Sequence, residues 1–249
     1  MTNTWALPVA SKVRVEHERT ARKKRTRFSE EIVQECLRIL TSGDPEELFE
    51  LIPRLGVLRD ARFDMALLAL LSDKDIKKRE FAACAMGAVR RHEFLQPLKE
   101  AFMEVRRKKG FGTDEFVLAL IEAIGTLGDD AAVEFFLPIV RDAGQSAKRE
   151  GKLRNWIVES LGAIAQQGGK RSVEALVELT HQSDPAICSR AISELSVAYW
   201  HRPNEITDSI LGRIYELTRD RHHTIAESAL SALQSLADVG CRRAENLFS

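Results

Sequence analysis

Beyond Ser29 the chain reads as a succession of amphipathic stretches in which apolar residues return after three and four positions, the period of one helix face. These stretches are also copies of one another. With Gly87 as a marker, equivalent positions fall at Gly125, Gly162, Ser196 and Gln234, spaced by 38, 37, 34 and 38 residues. One position before the marker stand Met86, Ile124, Leu161, Leu195 and Leu233; four before it stand Ala83, Ile121, Val158, Ile192 and Leu230. Five before it come Ala82, Leu120, Ile157, Ala191 and Ala229, and two after it Val89, Leu127, Ile164, Ala198 and Leu236. These offsets share one helix face, so the five copies predict five helices on one template. Each is followed by a polar break and a second amphipathic stretch: Phe94 to Arg107, Asp130 to Asp142, Lys170 to His181, Asn204 to Thr218 and Cys241 to Phe248. Ser29 before Glu30, Thr113 before Asp114, and the pairs Asp44-Pro45 and Asp184-Pro185 mark helix starts, because their side-chain oxygens can accept from the otherwise orphaned first N–H groups.

Only 14 Gly and 7 Pro among 249 residues, with few alternating β-branched runs, predict an all-α fold. A helix pair of this size cannot bury its apolar face alone, so the copies must stack, and small residues at the marker allow close approach. The motifs Ala82-x-x-Ala85-Met86-Gly87, Glu122-Ala123-Ile124-Gly125-Thr126-Leu127-Gly128-Asp129 and Glu159-Ser160-Leu161-Gly162-Ala163-Ile164-Ala165 resemble the HEAT and HEAT-like repeats, including the subtype found in phycobilin lyases. The resemblance covers about residues 30 to 248, with a weak register before Leu71. It implies a right-handed α-solenoid of about five to six HEAT-like helix pairs across residues 29–249, the first helix of each pair on the convex side and the second on the concave side. That concave face is where such a scaffold usually holds a partner.

Charge changes the picture at one end. The chain is neutral overall, with 37 basic and 37 acidic residues, yet residues 1–28 carry eight basic against two acidic side chains, leaving −6 on the remainder. This head lacks apolar periodicity and is predicted to be a basic, disordered arm. Arg22, Lys23, Lys24, Arg25 and Arg27 are its candidate contact groups for phosphates or an acidic surface, joined by Arg106, Arg107, Lys108 and Lys109 before Gly110-Phe111-Gly112. The second stretches carry acids: Glu100, Glu104, Glu134, Glu174, Glu178, Asp208 and Glu216 are the candidate partner-binding residues of a concave face.

Catalytic patterns are sparse. His17-Glu18 and His92-Glu93 do not form H-E-x-x-H, and the HEAT-like deoxyhypusine hydroxylase needs four His-Glu pairs on equivalent helices. His222-His223 would diverge by about 100° on a helix, and no phosphate loop, dinucleotide fingerprint or G-x-S-x-G occurs. No metal or cofactor is therefore expected. Cys36, Cys84, Cys188 and Cys241 are spaced as buried free thiols. Trp156 and Trp200 fall in first helices and are expected to pack in the core or at its rim; the HEAT-like DNA glycosylases that use exposed tryptophans carry a strongly basic face, whereas this body is acidic. The longest apolar run, Met65 to Leu71, is too short to span a bilayer, and Met1 to Ser11 has no secretory pattern, so a cytoplasmic protein without membrane insertion is expected.

The function these readings predict is a non-catalytic protein–protein interaction scaffold binding a protein partner on the concave face, aided by the basic arm. Two alternatives follow from the resemblance and the charge: a phycobilin-lyase-like subunit or cofactor-protein chaperone, and nucleic-acid binding through the arm and residues 106–109. Leu247 and Phe248 at the C-terminal end offer a surface for self-association.

Overall fold

A computed structural model describes residues 30–107, 114–127, 130–142 and 147–247; the predicted arm, Lys108, Lys109 and Phe248 lie outside the described residues. Within them the fold is all-α: thirteen α-helices, three short 3-10 turns and no strand. The helices are α1 (30–42), α2 (Pro45–Leu58), α3 (Asp64–Leu71), α4 (Ile76–Val89), α5 (Leu95–Arg107), α6 (Asp114–Leu127) and α7 (Asp130–Arg141). They continue with α8 (Ala147–Gln166), α9 (Lys170–Leu179), α10 (Pro185–Ala198), α11 (Asp208–Leu217), α12 (His223–Asp238) and α13 (Arg242–Glu245).

The predicted start signals act as caps. Asp44 accepts from the Glu46 N–H at 3.0 Å and Asp184 from that of Ala186 at 3.0 Å, each before a proline whose missing N–H costs nothing there. Asp75 caps α4 in the same way, accepting from Lys77 at 2.8 Å. At the other end, Arg59 and Arg90 close α2 and α4 in the left-handed conformation, turning the chain into the next element.

The marker helices α4, α6, α8, α10 and α12 stack in chain order, each on the next, and α2 stacks on α4. Contacts run between chain neighbours, as stacked repeats require. The pairing differs by one helix from the sequence expectation. Three shorter helices pack chiefly on the marker helix that follows them, α3 on α4, α5 on α6 and α11 on α12, while α7 meets α8 and α9 alike and α9 sits against both α8 and α10. Short connections permit either choice; the apolar faces decide it. For α4, α6 and α12 the marker helix is therefore the second member of its pair.

The apolar columns form the core. Of the twenty residues in the four columns, all are buried except Leu127, which is half-buried, and Leu230, which is 47% exposed. Leu230 and the marker share the side facing the next marker helix, and among the described residues none follows α12. Gln234 can therefore occupy a marker position where Gly or Ser stands elsewhere. Phenylalanines fill the space between layers: Phe63, Phe81, Phe94, Phe102, Phe116 and Phe136 are wholly buried, with Phe102 edge-on to Phe135 at 5.7 Å.

The marker residues set the spacing of the stack. A β-carbon on Gly87 would lie 3.1 Å from Ala123 Cα, and one on Gly162 would lie 2.9 Å from Glu194 Cβ. Gly56 meets the Ala88 carbonyl in the same way at 3.3 Å, adding a sixth marker on α2. Its distance of 31 residues from Gly87 falls outside the spacing of the other copies, which hid it from the periodicity.

Candidate functional site

The acids expected to line a binding groove lie on the shorter helices, and there several of them join one repeat to the next. Glu134 Oε1 is 2.6 Å from Arg171 Nε, and Arg141 pairs with Glu178; both pairs span 37 residues, one repeat. Asp208 takes Arg243 at 2.7 Å, Glu104 takes Arg79 at 3.6 Å, and Glu216 takes Arg213 at 3.3 Å. Arg171 also stands 3.7 Å from Glu174, and Glu100 accepts from Gln96 at 2.8 Å. Arg202 follows the same repeat spacing, donating to the Ala165 carbonyl at 2.5 Å. All seven candidate acids thus have partners within the chain. Such exposed pairs contribute ~0–1 kcal/mol each, so their role is registration more than stability.

Reversal of one rung should show this. Glu178→Lys opposes a second cation to Arg141 and is expected to cost about 1 kcal/mol in urea denaturation at low salt. High salt should remove most of that cost, since exposed charges are screened. A salt-independent loss would contradict the ladder reading.

Among the basic candidates, Arg106 is 3.7 Å from Asp142, while Arg107 joins Glu100, Glu104, Lys99, Met103 and Phe135 around a cleft of 380 Å³ between α5 and α7. Arg22, Lys23, Lys24, Arg25, Arg27, Lys108 and Lys109 lie outside the described residues.

A second surface emerges from the marker helices, on the side turned away from the shorter helices. Helical arithmetic places offsets −7, −3 and +1 from the marker there, opposite the apolar columns, with −6 at the edge, buried as Ala119 on α6 and partly open as Trp156 on α8. On α6 these are Leu118, Glu122 and Thr126; on α8 they are Trp156, Glu159 and Ala163; on α10 they include Arg190 and Val197, followed by Trp200. Leu118, Glu122, Thr126, Trp156, Glu159 and Ala163 surround an open cleft of 450 Å³ whose floor is Gly125 and Ser160. Ser160 is buried and donates to the Ile121 carbonyl at 3.3 Å, tying α8 to α6 beneath it. Trp156 packs at the rim of the core, as expected, and also forms one half-buried wall of this cleft, with Lys152 Nζ 4.8 Å from the ring centroid. Trp200 is 45% exposed and Val197 42%.

The face carries its own charge arrangement. Arg190 bridges Glu159 at 2.7 Å and Glu194 at 2.9 Å. Glu194 is only 8% exposed, standing where Ala85, Ala123, Ser160 and Ala232 occupy the same column of the other copies. Burial pushes its carboxyl up to about 7, against the pull of Arg190 and with the help of the Glu159 charge. The Glu122 carboxyl is also held above its usual range, first by the surrounding protein and then by Glu159. Among the described residues no group of His, Cys, Asp and Glu is arranged to hold a metal ion, and no helix is long and apolar enough to cross a membrane. The four cysteines are free; three are buried and Cys84 is half-buried, with its thiol pushed up to about 11 by burial.

No family model and no curated protein matches the chain. Among solved structures it is similar to an engineered protein known from its crystal structure, at 18% identity and a TM-score of 0.44, over 84% of this chain and 97% of that one.

Proposed function

We propose that the protein is a non-catalytic interaction scaffold, a HEAT-like α-solenoid whose partner docks on the free face of the marker helices. The observation that carries this reading is the contrast between the two layers. The acids of the shorter helices are paired within the chain, whereas the marker face presents Val197, Trp200 and the wall of Trp156 to solvent beside Glu122. Exposed aromatic and aliphatic side chains bordered by charge are the composition of a docking patch.

Curvature supports the same face. The marker helices approach one another through glycine contacts, while the shorter helices pack mainly on the marker layer, and a two-layered stack bends toward its more closely spaced layer. The resemblance to HEAT-like repeats gives the concave side to the second helix of each pair, which by the observed pairing is the marker helix. The partner surface therefore moves from the helices carrying Glu174 and Glu178 to those carrying Glu122, Trp156 and Val197.

The test is quantitative capture of a partner by the full chain and by variants. Val197→Glu combined with Trp200→Glu is expected to release the partner while helicity and thermal unfolding stay close to the parent, since both side chains are already part-exposed. Glu174→Lys with Glu178→Lys is expected to retain it. Retention by the Val197/Trp200 variant, or loss by the Glu174/Glu178 variant alone, would overturn the assignment.

A further inference from the structure

We infer that the cleft between α6 and α8 receives one lysine or arginine side chain from a basic, extended segment of the docking partner. This rests on the proposed docking face and gives it a chemistry. The cleft is open, with a volume of 450 Å³, and its wall combines apolar and acidic side chains. Leu118 and the Trp156 ring offer apolar surface to an aliphatic stem, and Glu122 and Glu159 offer carboxylates to a cationic head.

Three further observations favour a cation there. Among the described residues none lining the cleft is cationic and Glu122 has no basic partner, whereas Glu159 is already met by Arg190. Glu122 and Glu159 therefore leave uncompensated negative charge beside an aromatic wall, and the Glu122 carboxyl is held above its ordinary range by burial first and by the Glu159 charge second. Secondly, the Trp156 ring already accepts one cation, the ammonium of Lys152 at 4.8 Å, and Lys152 does not line the cleft. Thirdly, residues 29–249 carry a net −6, with the balancing +6 on residues 1–28, so at short range this body favours a basic segment over an acidic one. An extended backbone suits the face better than a helix because the next apolar features, Val197 on the neighbouring marker helix α10 and Trp200 in the turn after it, lie one repeat further on.

The experiment uses the full chain and a short fluorescein-labelled peptide of alternating arginine and alanine, read by fluorescence anisotropy, with a glutamate-alanine peptide as control. The arginine peptide is expected to bind and the glutamate peptide not to. Glu122→Gln and Trp156→Leu are each expected to weaken binding about tenfold, the scale of one charge-assisted or cation–π contact. Glu174→Gln, which removes the same charge from the other layer, is expected to leave it unchanged. Glu122 is exposed, so its variant keeps the fold even if Trp156→Leu loosens α8. Equal weakening by Glu122→Gln and Glu174→Gln would reduce the effect to diffuse acidity and overturn the inference, as would failure of the parent chain to bind the arginine peptide. The two readings fail separately. Partner release by the Val197/Trp200 variant together with unchanged peptide binding by Glu122→Gln would leave the docking face standing and remove the cleft; partner retention by the Val197/Trp200 variant would remove the face itself.

Discussion

Replacement of Gly162 by alanine is expected to lower the stability of the chain by about 1–3 kcal/mol, the range for forcing extra volume into a packed interior. The added β-carbon would lie 2.9 Å from Glu194 Cβ and 2.7 Å from Glu194 Cδ, too close for either atom to remain in place. Glu194 cannot swing aside freely, because it is buried and tied to Arg190 at 2.9 Å. The α8–α10 contact must therefore open along its length, and chemical denaturation should report the loss. Gly212→Ala is the control. Gly212 lies inside α11 with no atom within 4 Å of an added β-carbon, so alanine there should stabilise by about 0.5–1 kcal/mol through helix propensity alone. Adding Glu194→Ala to Gly162→Ala should recover part of the loss, since the other close contacts of this kind pair glycine with the small residues Ala123 and Ser160. A Gly162→Ala protein as stable as the parent would show that the marker does not set the spacing.

Removal of the Glu194 charge is expected to stabilise the protein at mildly alkaline pH. Its carboxyl, at about 7 in the fold against 4.5 when unperturbed, holds a proton that the unfolded chain has released. The folded state therefore binds more protons between those values, and stability falls as pH rises through that window and stays lower above it. The shift corresponds to about 3 kcal/mol. Glu194→Gln should flatten this slope and raise the denaturation midpoint above pH 7, while changing little near the acid end of the window. Arg190 keeps its contact with Glu159 in either variant. A pH profile as steep in Glu194→Gln as in the parent would place the proton elsewhere. Nature has put a titrating acid where Ala85, Ala123 and Ala232 pack in other repeats, at some cost in stability.

Much of the helical layout could be read from residue order alone. Asp44-Pro45 and Asp184-Pro185 begin helices because capping is local chemistry, satisfied within a few residues. The columns at −5, −4, −1 and +2 are buried because amphipathic periodicity and burial are the same information. The departures have physical causes too. Gln234 and the exposed Leu230 follow from the absence, among the described residues, of a further marker helix to cover α12. The sequence expectation for Glu134, Glu178 and Asp208 assumed free carboxylates, since their partners Arg171, Arg141 and Arg243 lie a repeat away and meet them only when the copies stack.

The marker-face cleft had a signal that went unused, the complement of the apolar columns on the helical wheel. Applied to α6 and α8, it selects Leu118, Glu122, Trp156 and Glu159.

By itself the sequence determined that the chain is a run of helices, where most of them start, and which stripe of each is buried, because these depend on interactions within four or five residues. Only the tertiary structure decided which helix pairs with which, and so which layer turns its free face outward with Trp156 and Val197. It also decided that Glu134, Glu178 and Asp208 are spent on arginines one repeat away, and that Glu194 is buried against Gly162. Those outcomes depend on which neighbour each surface meets, and periodicity specifies a surface without specifying its neighbour.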